Sequence, residues 1–446
     1  MTPIPEQGET RTVDMFVENG GTLTLPATDN ITINNANAFV TWSFDPITGI
    51  LSQQAVAQPE EVLQDVVTGD SSTQQNLQNI LDNDPALTRE LINIAANQGG
   101  GGAANAIERL TNSDAVALAT SPINIAVQDA TNVISDRAAY TSAPLQRIVV
   151  DQGNIVGIAA GDESYKYGAW VSPFYGTARQ QSNNSAPGYK LEYYGAVVGF
   201  DALINDKTAL GIGFSVVRAD IKHKDLNQGD KTRADNYVFS LYGTYEITKE
   251  WFVQCVTSIG RSKIKNREIR TEFGQTNIAS ANYNATSWGT EILTGYNQTI
   301  RDNFIVTPLF GFEFNRLNGI SYKETGTNTQ NLAIRRKAMN KLEAIAGVRF
   351  STSYLTSDGM TISPELHGNV RYEMLNKSLK INIQQDRVPG SALVPRTGKQ
   401  GRVVMNLGLD VKASHDDKFK YSIGYDLRLA KKYVGHQGTI TLRVNF

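Results

Sequence analysis

Hydrophobic and polar residues alternate along the last nine residues of the sequence, Gly438–Phe446. Apolar side chains fall on every second position and polar ones between them, which is the period of a β-strand. An open strand edge beside an apolar face is an aggregation hazard unless the sheet closes on itself in lipid. The pattern therefore favours a closed barrel in a membrane. The residues expected on the lipid-facing side of the last strand are Ile440, Leu442, Val444 and Phe446.

The same alternation recurs from Tyr167 onward, in segments such as Leu210–Val216, Val306–Phe314 and Val403–Val411. The intervening positions are small or charged. A two-sheet sandwich could bury the apolar face, but it leaves edge strands, and its other face is seldom so rich in Glu and Arg. A barrel with lipid outside and water inside explains both faces. The residues predicted to face the lumen are Glu313, Glu343, Arg349, Glu365, His367, Arg371, Asp410, Asp426, Arg428 and Arg443.

Short turns and longer polar stretches alternate between these segments. The short turns are Asn205-Asp206, Thr248-Lys249, Arg301-Asp302, Ser357–Gly359 and Asp416-Asp417. The longer stretches lie at about 180–189, 222–233, 263–281, 316–337, 375–401 and 431–437. Five turns and six loops predict 12 antiparallel strands with both barrel ends on the short-turn side. Outer-membrane barrels place their short turns in the periplasm and their long loops outside.

The sequence ahead of Tyr167 divides into two parts. Residues 13–51 contain short β-type runs broken by Gly and Asn, which suit either the last rungs of a β-solenoid or a loose β-rich tail. Helical patterns begin at Pro59. The pair Asp84-Pro85 predicts a capped helix start, and Gly99–Gly102 predicts its stop.

A second helix is predicted at about 121–139, beginning at Ser121-Pro122. Its apolar stripe is Ile123, Val127, Ala130 and Ile134, and Arg137 lies near its end. A barrel of 12 strands is wider than the eight-strand size that side chains fill, and one helix is about 10–12 Å across. We therefore expect this helix to plug the lumen, although an amphipathic linker helix would show the same pattern. The predicted units are 1–58, 59–166 and 167–446.

Composition is consistent with this fold class. The chain has 446 residues, of which 40% are hydrophobic, and its mean hydropathy is −0.30, which is too polar for a helical membrane protein. The net charge of −2 gives no electrostatic basis for nucleic-acid binding. The single cysteine, Cys255, excludes an internal disulfide and a cysteine-built metal site. The amino terminus lacks the basic start and apolar core of a signal peptide, so we expect a piece of a longer or split protein.

No enzyme is expected from this sequence. The four histidines are scattered, and His367, near Glu365 and Arg371, fits a polar network better than a catalytic site. We predict no catalytic residue, no metal and no cofactor. A porin-like channel and an outer-membrane hydrolase remain as alternatives, but a porin has no need of a capped amphipathic helix ahead of its first strand.

The layout resembles the autotransporters of type V secretion, in which a passenger is followed by a linker helix and a 12-stranded translocator barrel that ends in an aromatic residue. Residues 167–176, Tyr-Gly-Ala-Trp-Val-Ser-Pro-Phe-Tyr-Gly, resemble the family's first strand, and residues 132–137 resemble the close of its pore helix. Residues 161–168 leading into 170–175 are most similar to rickettsial surface-cell-antigen outer-membrane proteins.

The resemblance implies a monomeric barrel in the outer membrane that exports its own upstream segment to the cell surface. It also implies that the assembly machinery of the membrane reads the terminal strand with Phe446. Self-cleavage at an Asn-Asn bond is not expected, because the predicted pore helix has only the isolated Asn124 and Asn132. The sequence does not identify the passenger's target.

Overall fold

The computed structural model describes most of the barrel and parts of the segments before it. The described residues are 10–14, 38–45, 47–48, 50–56, 58–111, 127–128, 130–136, 148–151, 154–158, 166–182, 188–272, 274–301, 304–375, 380–388, 392–395, 401–414 and 418–446. Among these residues, no helix combines the length and the apolar character that crossing a membrane would need.

Twelve antiparallel strands form the main sheet. They are β1 Tyr167–Gln180, β2 Tyr189–Asn205, β3 Thr208–His223, β4 Lys231–Glu246, β5 Trp251–Glu272, β6 Gln275–Tyr296, β7 Phe304–Leu317, β8 Met339–Thr352, β9 Thr361–Glu373, β10 Val403–Ser414, β11 Phe419–Ala430 and β12 Tyr433–Asn445. Two short strands extend the sheet, Gln298–Arg301 after β6 and Tyr354–Leu355 after β8.

The sheet closes because β12 pairs with β1, from Tyr433↔Gln180 to Asn445↔Gly168. At the end of this seam the Phe446 N–H donates to the Tyr167 carbonyl at 2.9 Å, and the Tyr167 N–H donates to the Phe446 carbonyl at 3.1 Å. Closure leaves no open edge along the strands. The predicted 12-stranded antiparallel barrel is confirmed.

The outer surface of the barrel is apolar over a wide band. Leu407, Ile423 and Ile440 are 45%, 65% and 50% exposed, and aliphatic and aromatic residues share the same parity on the neighbouring strands. An apolar surface of this extent is typical of a barrel that lipid surrounds. We call the end of the barrel that contains Tyr167, Phe446 and the connections after β2, β4 and β8 the short-turn end. The opposite end is the long-connection end.

The loop predicted at 263–281 is wrong. β5 and β6 instead continue as one paired hairpin up to Glu272↔Gln275. The inward side chains Ile264 and Tyr283 are buried there, while the outward positions are polar. The alternation of inward and outward side chains therefore continues to the end of both strands. Beyond the apolar band, however, the outward side chains are polar. Sequence patterns that depend on apolar outward residues do not identify these parts of the strands.

Three short strands near the amino terminus, Thr10–Asp14, Val40–Asp45 and Ile50–Ala55, form a small sheet. Both of its pairings are antiparallel. The rungs of a β-solenoid stack in parallel. These three strands are therefore not solenoid rungs, and residues 15–37 of the predicted segment lie outside the described residues. A further hairpin joins Ile148–Asp151 and Asn154–Ile158.

Three helices follow the small sheet, α1 Pro59–Val66, α2 Ser71–Asn83 and α3 Pro85–Thr111. The Asp84 carboxylate accepts hydrogen bonds from the backbone N–H groups of Ala86 and Leu87, both at 3.1 Å, which confirms the predicted start of α3. Gly99 has φ +76° and kinks α3. The helix resumes at Gly100, so the predicted stop is a kink instead.

The helices lie at the long-connection end of the barrel. The connections there form a second sheet from Ile320–Lys323, Leu332–Arg336, Ile381–Gln385 and Ala392–Leu393. On α2, the Asn76 side chain donates to the Val394 carbonyl at 3.1 Å, and the Asn79 side chain donates to the Ala392 carbonyl at 3.0 Å. We call α1–α3 together the helical cap.

Candidate functional site in the barrel lumen

A short helix lies inside the barrel. Residues 127–128 and 130–136 are helical, and we call them the central helix. Ala130 and Ile134 are fully buried, and Val127 is half-buried. Gly213 on the inner face of β3 allows this packing, because a Cβ there would lie 3.1 Å from Ile134 Cδ1. Ile123 and Arg137, also predicted for this helix, lie outside the described residues.

Hydrogen bonds to opposite ends of the barrel fix the direction of the central helix. The Gln128 amide donates to Glu313 at 2.9 Å and to Glu343 at 3.4 Å, and Glu343 lies near the long-connection end of β8. Ser135 accepts a hydrogen bond at 2.7 Å from Gln254, which lies near the short-turn end of β5. The chain therefore runs through the lumen from the long-connection end toward the short-turn end.

A row of carboxylates lines the lumen beside this helix. Strand register places Glu291 opposite Glu313, and Glu313 opposite Glu343. Like charges directly opposite one another are destabilising. Arg371 offsets the repulsion by bonding to Glu291 at 2.9 Å and by pairing with Glu313, and Lys341 pairs with Glu343 at 2.8 Å. We call Glu291, Glu313 and Glu343 the carboxylate row.

The central helix completes this row. The Ser135 hydroxyl donates to Glu291 at 2.5 Å, and the Arg371 guanidinium donates to Asn132 at 3.4 Å. The polar side of the helix thus contacts the charged wall, while Ala130 and Ile134 pack against other inward residues. The central helix is therefore held in a charged lumen by polar contacts as well as by the packing of its apolar side chains.

A second network surrounds His367. Its Nε2 lies 3.0 Å from Asp426 and its Nδ1 lies 3.3 Å from Asp410. Arg349 and Lys412 both pair with Glu365, each at 2.9 Å. Gly408 makes room for the imidazole, since a Cβ there would fall 2.1 Å from Nε2.

Glu365, His367 and Asp410 bring possible metal-ligand atoms within 4.8 Å of one another. Two cations, Arg349 and Lys412, already lie against Glu365. Both ring nitrogens of His367 also face carboxylates. The arrangement therefore fits a charge-balanced polar network, which stabilises and fixes the wall of the barrel.

Arg443 on the last strand belongs to a third network near the short-turn end. Its guanidinium pairs with Asp201 at 2.7 Å, and Asp201 accepts a hydrogen bond from Tyr242 at 2.9 Å. The Trp170 indole N–H donates to the same tyrosine hydroxyl at 2.9 Å. Arg428 is separate from this group and donates to Asn406 at 3.1 Å.

Six further residues of the lumen are not among those predicted from the sequence, namely Gln128, Ser135, Asp201, Gln254, Glu291 and Lys412. Glu291 lies on β6, whose outer face carries Asn and Thr between widely spaced aromatic residues such as Trp288 and Tyr296. The four-residue spacing of Trp288, Ile292 and Tyr296 is the one signal that could have set its parity. Gln254 and Ser135 carry no charge, so no pattern of charges marks them.

The last strand presents its apolar residues outward. Ile440, Leu442, Val444 and Phe446 are all exposed on the outer surface of the barrel. The Phe446 ring lies 6.3 Å from Tyr167 and 6.0 Å from Phe200, measured between ring centroids. This aromatic cluster lies at the seam that closes the barrel.

At the opposite end, polar contacts join the helical cap to the long connections. Arg109 pairs with the buried Asp230 at 3.1 Å. Glu90, fully buried on α3, accepts hydrogen bonds from Thr329 at 2.5 Å and Gln330 at 2.7 Å. Buried charges need such partners. The helical cap is therefore docked on this end of the barrel by specific contacts.

These features define a class of protein. A closed barrel of 12 strands, apolar outside and charged inside, with a helix in its lumen, is an integral barrel of the bacterial outer membrane.

Known proteins narrow the class to one family. The chain matches the autotransporter beta-domain over residues 169–426. It is 30% identical over 460 residues to outer membrane protein A of Rickettsia rickettsii, covering 98% of this chain and 20% of that protein. It is 33% identical over 297 residues to outer membrane protein B of Rickettsia typhi, covering 65% of this chain and 18% of that protein. The chain thus spans about a fifth of the length of these curated relatives.

A solved structure has the same fold. The translocator domain of the autotransporter NalP from Neisseria meningitidis superposes with a TM-score of 0.55 at 14% identity, covering 75% of this chain and 99% of that one. The chain belongs to the autotransporter beta-domain family. The resemblance drawn from the sequence is confirmed, and the porin and hydrolase alternatives are not favoured.

Proposed function

We propose that this barrel anchors its own upstream segment in the outer membrane and exports that segment to the cell surface through its lumen. The path of the chain carries this proposal. The helical cap contacts the long connections, the central helix runs inward through the lumen, and β1 begins at the short-turn end. A chain with this path has one end on each side of the membrane.

The long connections are placed outside the cell and the short turns in the periplasm, as in other barrels of this membrane. On this orientation the helical cap lies at the cell surface, and Tyr167 and Phe446 lie at the periplasmic side. The units proposed for this arrangement are a β-rich passenger remnant at 1–58, a helical linker at 59–166 with its pore helix at about 121–139, and the barrel at 167–446.

The barrel is proposed to act as a monomer without catalytic activity. The ionisable side chains of the lumen described above are engaged with one another or with the central helix, which supports a structural use for them. Recognition of the terminal strand by the barrel-assembly machinery is proposed because Ile440, Leu442, Val444 and Phe446 form a continuous apolar outer edge at the seam.

Planar-bilayer conductance tests whether the central helix occludes the lumen. Three refolded chains are compared: the full chain, a chain beginning at residue 112, and a chain beginning at Tyr167. We expect small conductance from the first two and larger conductance from the third, because the third lacks the central helix. The chain beginning at residue 112 is the control for the helical cap.

Each chain is first checked for folding by the gel mobility of unheated samples. Equal conductance of the chains beginning at residue 112 and at Tyr167 would contradict occlusion by the central helix. If the full chain conducts little while both shorter chains conduct equally and strongly, the occluding segment is the helical cap.

A further inference from the structure

Basic residues dominate the outer surface of the barrel just beyond its apolar band on β1–β5. On β5 the outward side chains change from Ile259 to Arg261, Lys263, Lys265 and Arg267, and all of these are exposed. Basic outward residues on the neighbouring strands are Arg179, Lys190, Arg218, Lys222, Lys231 and Arg233. We call these ten side chains the basic face.

Strand register places part of the basic face in one continuous row. The pairs are Arg179↔Lys190, Lys190↔Lys222, Lys222↔Lys231 and Lys231↔Arg267. Directly opposite residues have Cβ atoms about 4.5–5.5 Å apart, and like charges at that distance destabilise a sheet. A row of cations across five strands therefore favours binding of anions.

Acidic side chains of the protein neutralise only part of this charge. The ion pairs on this surface are Arg218–Asp235 at 2.6 Å, Arg233–Asp220 at 2.7 Å and Lys222–Glu192 at 3.6 Å. Across the described part of the chain, no carboxylate pairs with Lys231, Lys265 or Arg267. These three side chains of the basic face thus keep a positive charge that no carboxylate of the described residues neutralises.

The basic face adjoins the surface that lipid covers. Tyr237 and Trp288 flank Arg261 and Ile259 at the upper edge of the apolar band, where barrels carry an aromatic girdle. Lys263 Nζ lies 5.7 Å from the centroid of the Tyr237 ring. A ligand that contacts the basic face would therefore also contact the apolar band, as a lipid does.

The height of the basic face discriminates between lipid classes. From Arg261 to Arg267 the strand covers about 20 Å, or roughly 15 Å along the membrane normal at the usual strand tilt. The headgroup layer of a phospholipid bilayer is only about 5–8 Å thick on each side. The cations therefore extend well beyond a phospholipid headgroup.

We propose that the basic face binds the phosphate groups of a glycolipid in the outer leaflet, whose acyl chains lie on the apolar band below. A phosphorylated oligosaccharide headgroup is tall enough to reach from Arg261 to Arg267. Its phosphates neutralise the row that begins at Arg179. The site clamps the barrel to the outer leaflet on one side, next to the helical cap.

Lipid binding to the purified full chain in zwitterionic detergent tests the proposal by native mass spectrometry. The probe is a bisphosphorylated lipid A that carries a short phosphorylated core oligosaccharide. We expect the triple variant Lys263→Gln, Lys265→Gln, Arg267→Gln to bind it at least tenfold more weakly, since each basic side chain near an anionic lipid surface contributes to binding. The matched control, Lys207→Gln, Lys249→Gln, Lys418→Gln, carries the same charge change at the short-turn end and is expected to bind as the parent does.

A second variant, Lys263→Arg, Lys265→Arg, Arg267→Lys, keeps the charge and is expected to retain binding, which separates loss of charge from loss of folding. Dephosphorylated lipid A and phosphatidylglycerol are expected to bind more weakly than the probe. The proposal is overturned if the first triple variant binds the probe within twofold of the parent, or if the short-turn control weakens equally. It is also overturned if inorganic phosphate at equal concentration displaces the probe, because the ligand would then be a free anion.

Discussion

Arg371 is the residue on which the carboxylate row depends most. It lies in the lumen between Glu291 and Glu313 and also reaches Asn132 of the central helix. Removing one partner of a buried ionic group leaves charges without compensation and is strongly destabilising. A pair on the outer surface is worth far less because water screens it.

We therefore expect Arg371→Met to lower the free energy of unfolding of the barrel by about 3–5 kcal/mol, measured by urea unfolding in lipid vesicles. Arg218→Met is the control, since Arg218 pairs with Asp235 while 45% exposed, and we expect a loss of about 1 kcal/mol or less. Adding Glu291→Gln and Glu313→Gln to Arg371→Met should restore much of the stability. Equal losses for the two single variants would refute the special role of the row.

Charged side chains with regular spacing could be placed on one wall from the sequence, whereas their partners could not. Glu313 and Glu343 follow clear alternation, so the sequence places them on the parity opposite the apolar residues. The pairing of Arg371 with Glu291 depends on the barrel's curvature and on strand register, which bring residues far apart in sequence together. Lys412 shows the same limit, because its contact with Glu365 arises only across β9 and β10.

The last strand has two roles that can be measured separately, one in the folded barrel and one during its assembly. In the folded barrel the Phe446 side chain is 55% exposed and makes ring contacts with Tyr167 and Phe200. Full burial of such a side chain is worth on the order of 1.5–3 kcal/mol, and partial burial is worth less. The proposed recognition of this strand by the assembly machinery would act before the barrel exists.

We therefore expect Phe446→Ser to reduce membrane insertion in cells much more than it reduces refolding into detergent. Val411→Ser, on the outer face of β10 near the same end of the barrel, is the control and should affect both assays to a similar small extent. Insertion is measured by the outer-membrane fraction of a chain that carries a signal peptide. If Phe446→Ser lowered both assays by the same factor, the residue would be a structural anchor and the targeting role would be wrong.

The connections under the helical cap contain a buried acid outside the membrane. Burial raises the pKa of Glu324 to about 8. The negative charge of Glu268 also raises this pKa, whereas the positive charge of Arg270, 3.6 Å away, lowers it. Burial also raises the pKa of Asp230 to about 6 and lowers the pKa of His223 to about 4. Of these three groups, Glu324 therefore contributes most to the change in proton binding on folding between pH 6.5 and 8.

An acid whose pKa is raised in the folded state binds more protons folded than unfolded, so stability falls as pH rises through this window. We expect the packing of the long connections around Glu324 to weaken by about 1–2 kcal/mol from pH 6.5 to pH 8, measured as faster trypsin cleavage within residues 320–388. Glu324→Gln should remove this dependence. A cleavage rate that rises equally in the parent and in Glu324→Gln would rule out this group as its source.

The elements themselves were largely predictable wherever one face meets hydrocarbon. Alternation with a period of two predicts each barrel strand from β7 to β12, because every second side chain faces lipid and is therefore apolar. The parts of β5 and β6 beyond the pair Ile259↔Trp288 were not predictable, because their outer face meets headgroups and water there. This face carries Arg and Lys on β5 and Asn and Thr on β6. The antiparallel pairing of the small amino-terminal sheet was not predictable, because a period of two does not distinguish antiparallel from parallel pairing.

The chain as a whole passes through its own barrel. The helical cap is held at the long connections by Glu90 and Arg109, while the central helix and β1 lead back to the other end. The count of connections predicted the closed barrel and the side on which both of its ends lie. Docking of the cap on the long connections was not predictable, because it depends on single contacts such as Asp84 with Arg387 at 3.0 Å.

Labelling of single cysteines in intact cells tests export of the upstream segment through the barrel, because it shows which end of the barrel faces outward. The chain is expressed behind a signal peptide with Cys255→Ser as background, and a cysteine is introduced at Gln98 in the helical cap or at Lys207 in a short turn. We expect that Gln98→Cys reacts with a membrane-impermeant maleimide in intact cells, whereas Lys207→Cys reacts only after the outer membrane is permeabilised. Reaction of Lys207→Cys in intact cells, with Gln98→Cys protected until permeabilisation, would contradict export of the upstream segment through this barrel.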